Sequence, residues 1–280
     1  MKRNAIVRII IFSIAIFILL GILLSGLAFG MLMMNIRTDS QTYYELPENS
    51  QVDLDPNEIQ NINIEWASGT IDVRAEETNT ITFSESGTYT DDLQMVWKVK
   101  NDTLIISFSK PTVQIGFSSY SNKDLTVTVP KSWICNELSL EVASADVTIT
   151  DLQAEQVDID TASGDYEFIN CTLNALDVDT ASGSIYYTGN LNTLDCDAAS
   201  GSFEGKFISA PTRIEMDSAS GDLDLTLPTG CGFRVTMDAL SSKFHSDLNV
   251  NYDGNSYVYG DQHCIINFDG VSGSVQIREE

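Results

Sequence analysis

Between residues 157 and 168 apolar and polar side chains alternate: Val157, Ile159, Tyr166 and Phe168 are interleaved with Asp158, Asp160, Asp165 and Glu167. A period of two is the pattern of a strand with one face in a core and the other in water. The next stretch repeats it with Leu176, Val178, Ile185 and Tyr187. The same short punctuation, Ala-Ser-Gly or a close variant, divides each pair of alternating runs. Its serines are Ser144, Ser163, Ser182, Ser200, Ser220 and Ser241, at intervals of 19, 19, 18, 20 and 21 residues, with Ser68 and Ser272 as outlying copies. A period near 20 marks stacked repeats. Helical spacing is missing from the repeats, so the pattern predicts an all-β chain. Its form is a parallel β-solenoid of roughly 19-residue coils, each made of two short strands joined at an Ala-Ser-Gly corner.

The corner favours a residue without a Cβ. Gly69, Gly164, Gly183, Gly201, Gly221 and Gly273 fill it in six copies, and Ala145 and Ser242 in the other two. A single coil buries too little apolar surface to offset the ordering of its own chain, so neighbouring coils must supply the rest. Any hydrophobe of suitable size fills such a core, which lets the apolar letters drift while the corner letters persist.

The solenoid is expected over residues 59–280. Within it, 76–137 lacks the corner but keeps strand chemistry. Ser68 and Ser144 are 76 residues apart, four periods of 19, so this segment reads as degenerate coils or as hairpins. VWKVKNDTLIISF (96–108) predicts a tight return at Asn101-Asp102. The interval from Ser241 to Ser272 is about 11 residues too long, which places a loop insertion at 250–263.

The alternation stops before residue 59. Residues 35–58, with Pro47 and Pro56, read as a membrane-proximal linker. Ile9 to Met34 is an uncharged, mostly apolar run of 26 residues. A helix needs about 20 to cross a bilayer core. Lys2, Arg3 and Arg8 in segment 1–8 precede it, so the positive-inside bias puts the N-terminus in the cytoplasm and the rest outside. The run exceeds the apolar core of a signal peptide, and Ala28-Phe29-Gly30 matches a cleavage site poorly. The expectation is a single-pass cell-membrane protein, anchored by one transmembrane helix over 9–34, with an extracellular C-terminal domain.

Charge sharpens this. The chain has 15 basic and 40 acidic residues. Lys2, Arg3, Arg8 and Arg37 precede the first acid, Asp39, so the remainder holds 11 basic residues against all 40 acids. Such a surface repels nucleic acid and anionic headgroups and attracts cations or basic partners. The five cysteines, Cys135, Cys171, Cys196, Cys231 and Cys264, include no CxxC pair and read as small buried hydrophobes.

TLIISF (103–108), DLTVTVP (124–130) running into LSLEVASADVTI (138–149), and the T-A-S-G-D and T-A-S-G-S repeats together resemble a bacterial family of candidate adhesins of unknown function. The resemblance covers roughly residues 60–280. It implies an extracytoplasmic β-strand repeat protein, often Gram-positive, with an adhesion or envelope-associated role and a cell-envelope glycan or protein as partner. It implies no catalytic residues.

The most regular polar feature is the residue three before the corner serine: Glu65, Glu141, Asp160, Asp179, Asp197, Asp217, Asp238 and Asp269, acidic in all eight copies. Stacked carboxylates about 4.8 Å apart repel one another. Calcium would relieve that repulsion, so Asp160, Asp179, Asp197 and Asp217 are candidate cation ligands and calcium a candidate cofactor. The alternative is a solvated acidic face that keeps the sheet soluble. A second acidic file, Asp158, Asp177, Asp195 and Glu215, lies two residues earlier. Tyr186, Tyr252, Tyr257 and Tyr259 are candidate ligand-binding aromatics, with local packing as the alternative. A polysaccharide-active enzyme would use paired carboxylates, but carboxylates are everywhere here and discriminate nothing. His245 and His263 stand in no nucleophile constellation, and no G-x-S-x-G elbow occurs at the corner serines. The expected function is a non-catalytic adhesion, scaffold or envelope-sensing module, or a calcium-dependent binding module.

Overall fold

The structure, a computed structural model, describes residues 43–46, 50–90, 93–110 and 122–280. The transmembrane helix expected over 9–34 lies outside the described residues, as do segment 1–8 and the start of the linker. Among the described residues no helix is long and apolar enough to cross a membrane.

The described chain is all-β, with one 3-10 turn at Pro56–Glu58. Alternation is obeyed closely. Val157, Ile159, Tyr166, Phe168, Leu176, Val178, Ile185 and Tyr187 are buried in one core. Phe168, Tyr187 and Phe207 follow one another in that core with ring centroids 5.5 and 6.0 Å apart. All five cysteines are buried free thiols.

Successive copies pair in parallel, each residue beside its counterpart one repeat on. Tyr166–Ile169 lies on Val147–Thr150, Thr172–Thr180 on Gln153–Thr161, and Thr193–Ala198 on Arg213–Ser218. The corners stack with the strands, so each level is named here by its corner residue. The polar letters around the corner tie one level to the next. Asp146 accepts from the Asp165 amide at 3.0 Å, and Asp165 in turn from the Ser184 amide at 3.0 Å. Inside the bend, the Thr161 and Thr180 hydroxyls donate to the Ser163 and Ser182 carbonyls. These bonds explain why the T-A-S-G-D letters recur while the apolar letters vary.

The levels follow chain order only in the middle. At the C-terminal end the Gly273 level, in strand Cys264–Glu279, sits between the Gly221 and Ser242 levels. At the N-terminal end strand Asn61–Glu76 lies between strand Cys135–Thr150 on one side and strands Thr103–Ser107 and Asn122–Pro130 on the other. Each of these two strands is therefore paired on both sides rather than left on an open edge, where unpaired backbone would template aggregation.

Pairing decides two readings that the repeat left open: 76–137 takes its hairpin alternative, and the 250–263 insertion is itself paired. Ser68 pairs directly with Ser144, so the described residues between them are not four stacked coils. They form one parallel level plus antiparallel cover: Val96–Lys100 folds back on Thr103–Ser107 around Asn101-Asp102, and Ile81–Thr88 pairs antiparallel with Asn122–Pro130. The 250–263 insertion is not a loose loop. Asn251–Tyr252 and Ser256–Tyr259 form an antiparallel hairpin that extends the sheet beyond Phe233–Thr236.

The N-terminal end also holds a buried charge pair. Lys123 Nζ lies 2.8 Å from Glu85 Oε2 and 2.6 Å from the Leu93 carbonyl, beneath the rings of Trp66, Tyr89 and Phe108. Glu85 in turn accepts from the Met95 amide. The Phe108 carbonyl accepts from Lys123 Nζ at 2.5 Å as well, so all three ammonium donors are occupied, as burial of a charge requires.

Candidate functional site

Parallel pairing at constant register turns a sequence position into a line on the surface. Glu65 pairs with Glu141, Glu141 with Asp160 and Asp160 with Asp179. Further along, Asp197 pairs with Asp217, Asp217 with Asp269 and Asp269 with Asp238. The eight acids thus form one file along the stack. Asp238 ends it, because the C-terminal strand is inserted before its level. The second file runs beside it, with Asp158 against Asp177 and Asp195 against Glu215.

The two ends of this face differ from its middle. Glu65 is buried, 5 % exposed, and accepts from the Ser107 hydroxyl at 3.1 Å. Burial raises its pKa against the opposing pull of Ser107 and Lys98. Next to it, Glu141 is pushed up to about 7 by burial and then by the charges of Glu65 and Asp160. In the second file Glu215 is held down. Burial would raise it, but bonds from Asn267 and Arg213 outweigh that effect.

In the middle, Asp177, Asp179 and Asp197 reach solvent, and Asp217 is half-buried. Each carboxylate is nevertheless flanked above and below by protein, which displaces part of its water. That desolvation comes first, and repulsion from stacked acids comes second. Together they raise Asp177, Asp179, Asp197 and Asp217 to about 6. For Asp179 the leading neighbour is Asp197; for Asp197 it is Asp217.

Asp160, Asp179, Asp197 and Asp217 therefore lie in one line, one carboxylate per level. Among the described residues no group of three or more carboxylate, imidazole or thiol side chains is arranged to hold a metal ion. The file is a row of single ligands, each beside the next, rather than a chelating pocket.

The four tyrosines do not make one site. Tyr186 is 45 % exposed on the Gly183 level. The other three belong to the hairpin beyond the Ser242 level, five or more strand spacings away, roughly 24 Å or more at the usual strand spacing. There Tyr257 stacks on Phe244 with centroids 4.2 Å apart, and Tyr259 lies 5.5 Å from Phe233. Both are engaged in local packing. Tyr252 contacts Tyr257 at 5.0 Å and keeps 60 % of its surface exposed.

Lys123 and Glu85 were not singled out from the sequence, though a signal existed. Both continue the inward parity of their strands, Leu125, Val127 and Val129 in one and Ile81 and Phe83 in the other, and a charge on that parity must find a buried partner.

The sequence profile of the family described as Toastrack DUF4097 matches this chain over residues 59–190 and again over 134–260. The overlap of the two matches reflects the internal repeat. No curated protein matches the chain closely enough to count as a relative. Among solved structures, a candidate adhesin from Bacteroides fragilis NCTC 9343 is similar at 16% identity and a TM-score of 0.44, covering 82% of this chain and 99% of its own. A candidate adhesin from Parabacteroides distasonis ATCC 8503 is similar at 9% identity and a TM-score of 0.42, over 85% and 98%. A candidate cell adhesion protein from Clostridium sporogenes ATCC 15579 is similar at 12% identity and a TM-score of 0.39, over 85% and 100%.

Proposed function

We propose, for a chain that belongs to the Toastrack DUF4097 family, a non-catalytic binding role: a parallel β-solenoid held at the outer face of the cell membrane by the 9–34 segment, acting as an adhesion, scaffold or envelope-sensing module. The in-register offset of one repeat between neighbouring strands supports the solenoid. The uncharged run of 26 residues behind Lys2, Arg3 and Arg8 supports the anchor and its orientation.

One observation carries the binding role: the same acidic position recurs on eight adjacent levels as a single file. Carboxylate catalysis needs two acids in unlike environments facing one bond across a cleft. Here acids repeat one per level along an open face. Such a face offers many equivalent weak contacts, and linked weak contacts add up to avidity. Its charge favours cationic or basic partners and disfavours anionic polymers.

The test is topological and functional together. Protease added to intact cells should remove the mass beyond about residue 38. Beads coated with the outward domain should then bind envelope fragments in a salt-dependent way. Recovery of a soluble secreted protein beginning near residue 31, or turnover of an envelope polysaccharide by the purified chain, would overturn this reading.

A further inference from the structure

A second surface differs in chemistry from the acidic files. Where each level returns to the next, at the end of the strands away from the corners, a shallow groove of about 340 Å³ crosses several successive levels. Its floor is buried and apolar: Ala154, Leu173 and Leu191. Flanking that floor, Gln153, Thr172 and Asn190 stand on one side and Asn174 and Asn192 on the other, with Glu155 the one carboxylate among the lining residues. In a chain with 40 acidic residues, six neutral hydrogen-bonding side chains in one groove, Ser209 being the sixth, make a chemically separate surface.

These side chains are held in place along the stack. Asn192 donates through Nδ2 to Asn174 Oδ1 at 3.1 Å, and its own Oδ1 accepts from Thr212 at 2.8 Å. Asn190 donates through Nδ2 to Thr172 Oγ1 at 3.4 Å. A carboxamide has two N–H donors and two acceptor lone pairs. Each contact uses one, which ties the amide to its neighbour and leaves it further hydrogen-bonding capacity. Such preorganisation lowers the entropy cost of binding.

We propose that this groove binds an extended, uncharged glycan carrying acetamido groups. A carboxamide and an acetamido group complement each other, each giving an N–H and taking one on its carbonyl. The short Ala154 leaves space above the floor for the acetamido methyl. Ile134, 57 % exposed at the groove's end, offers an apolar face to sugar C–H groups. Levels repeat at about 4.8 Å, comparable to the advance per sugar of an extended β-linked chain, so successive sugars meet successive levels. The molecule's net charge of −25 excludes polyanionic glycans. No aromatic ring lines the groove, so binding is weak for a single oligomer and gains strength only from a polymer. This deepens the envelope-binding reading and rests on it for its biological setting.

The experiment is ligand-observed saturation-transfer NMR on the full chain in detergent, with N-acetylchitopentaose as probe and maltopentaose as comparison. Saturable transfer to the acetamido methyl groups is expected, with little transfer to maltopentaose. Asn174→Ala with Asn192→Ala, both exposed and outside the core, should weaken binding by about tenfold or more, as expected for two lost hydrogen bonds. Glu167→Gln, exposed and in neither the groove nor the acidic files, should leave it unchanged. No transfer at millimolar probe, equal transfer to maltopentaose, or binding insensitive to the asparagine pair would overturn the assignment. Because the purified chain is used, failure here leaves the topological reading standing. A secreted protein in the protease test would instead remove that reading without touching this one.

Discussion

Replacing Gly183 by alanine tests how closely the corners stack. Gly183 has a φ of +132°, and a Cβ added there would lie 2.0 Å from the Gly164 carbonyl oxygen and 3.1 Å from its carbon. The obstacle is backbone in the ladder, which cannot swing aside as a side-chain tip can. Two costs follow. Forcing an L residue into that backbone region costs about 1–3 kcal/mol. Relieving the overlap requires the two levels to part by roughly an ångström, which removes or strains one or two ladder hydrogen bonds and adds about 1–3 kcal/mol. The sum is about 2–6 kcal/mol. Gly230 separates the two terms: its φ is +81°, yet nothing lies within 4 Å of an added Cβ, so Gly230→Ala should show the first cost alone. A domain of this size loses about 2–4 °C of Tm per kcal/mol. In circular-dichroism melts Gly183→Ala should therefore unfold roughly 2–12 °C below Gly230→Ala. Equal melting of the two variants would mean that the Gly164 carbonyl does not approach as described, and the corner stack would be wrong.

Stability should rise as pH falls. Asp177, Asp179, Asp197 and Asp217 at about 6 and Glu141 at about 7 lie above the ordinary 3.8 and 4.5, so the folded state holds more protons between about pH 4 and 7 and loses stability as pH rises through that window. The effect is discounted because most of these groups reach water. The urea midpoint should still be higher at pH 5 than at pH 7.5, and Asp160→Asn, Asp179→Asn and Asp197→Asn together should flatten the slope; a midpoint that falls steadily toward pH 5 contradicts the repulsive file. At fixed ionic strength, calcium and magnesium should raise the melting point alike and by only a few degrees over chelator. A bound site at a hundredfold excess over Kd would add about 2.7 kcal/mol, so a large calcium-specific rise abolished by the same triple variant would make the file a calcium site. Lys123→Met should cost about 3–5 kcal/mol by stranding the Glu85 carboxylate. Adding Glu85→Gln should recover part of that loss in a denaturant melt, and a silent Lys123→Met would show that the pair is not buried in solution.

Strand chemistry and face assignment are local properties, and the chain spells them out. From Val157 to Tyr187 parity alone says which side chains enter the core, and the structure buries those residues. The recurring acid three before the corner serine reads directly as a file, because constant register converts sequence period into surface order. Lys123 and Glu85 share that inward parity, though they were not singled out from it, and what satisfies them comes from Leu93, Phe108 and Met95, which no local pattern brings near. Period cannot say which level lies beside which. Any alternating strand of this length fits against any other in a parallel stack, so the neighbour is chosen by connection length and by the need to close the ends. That choice set the Gly273 level inside the Ser242 level, joined Ser68 to Ser144 across 76 residues, and made 250–263 a hairpin on the sheet rather than a loop. The groove of amides is tertiary for the same reason: Gln153, Thr172 and Asn190 are ordinary return residues until the stack places them side by side.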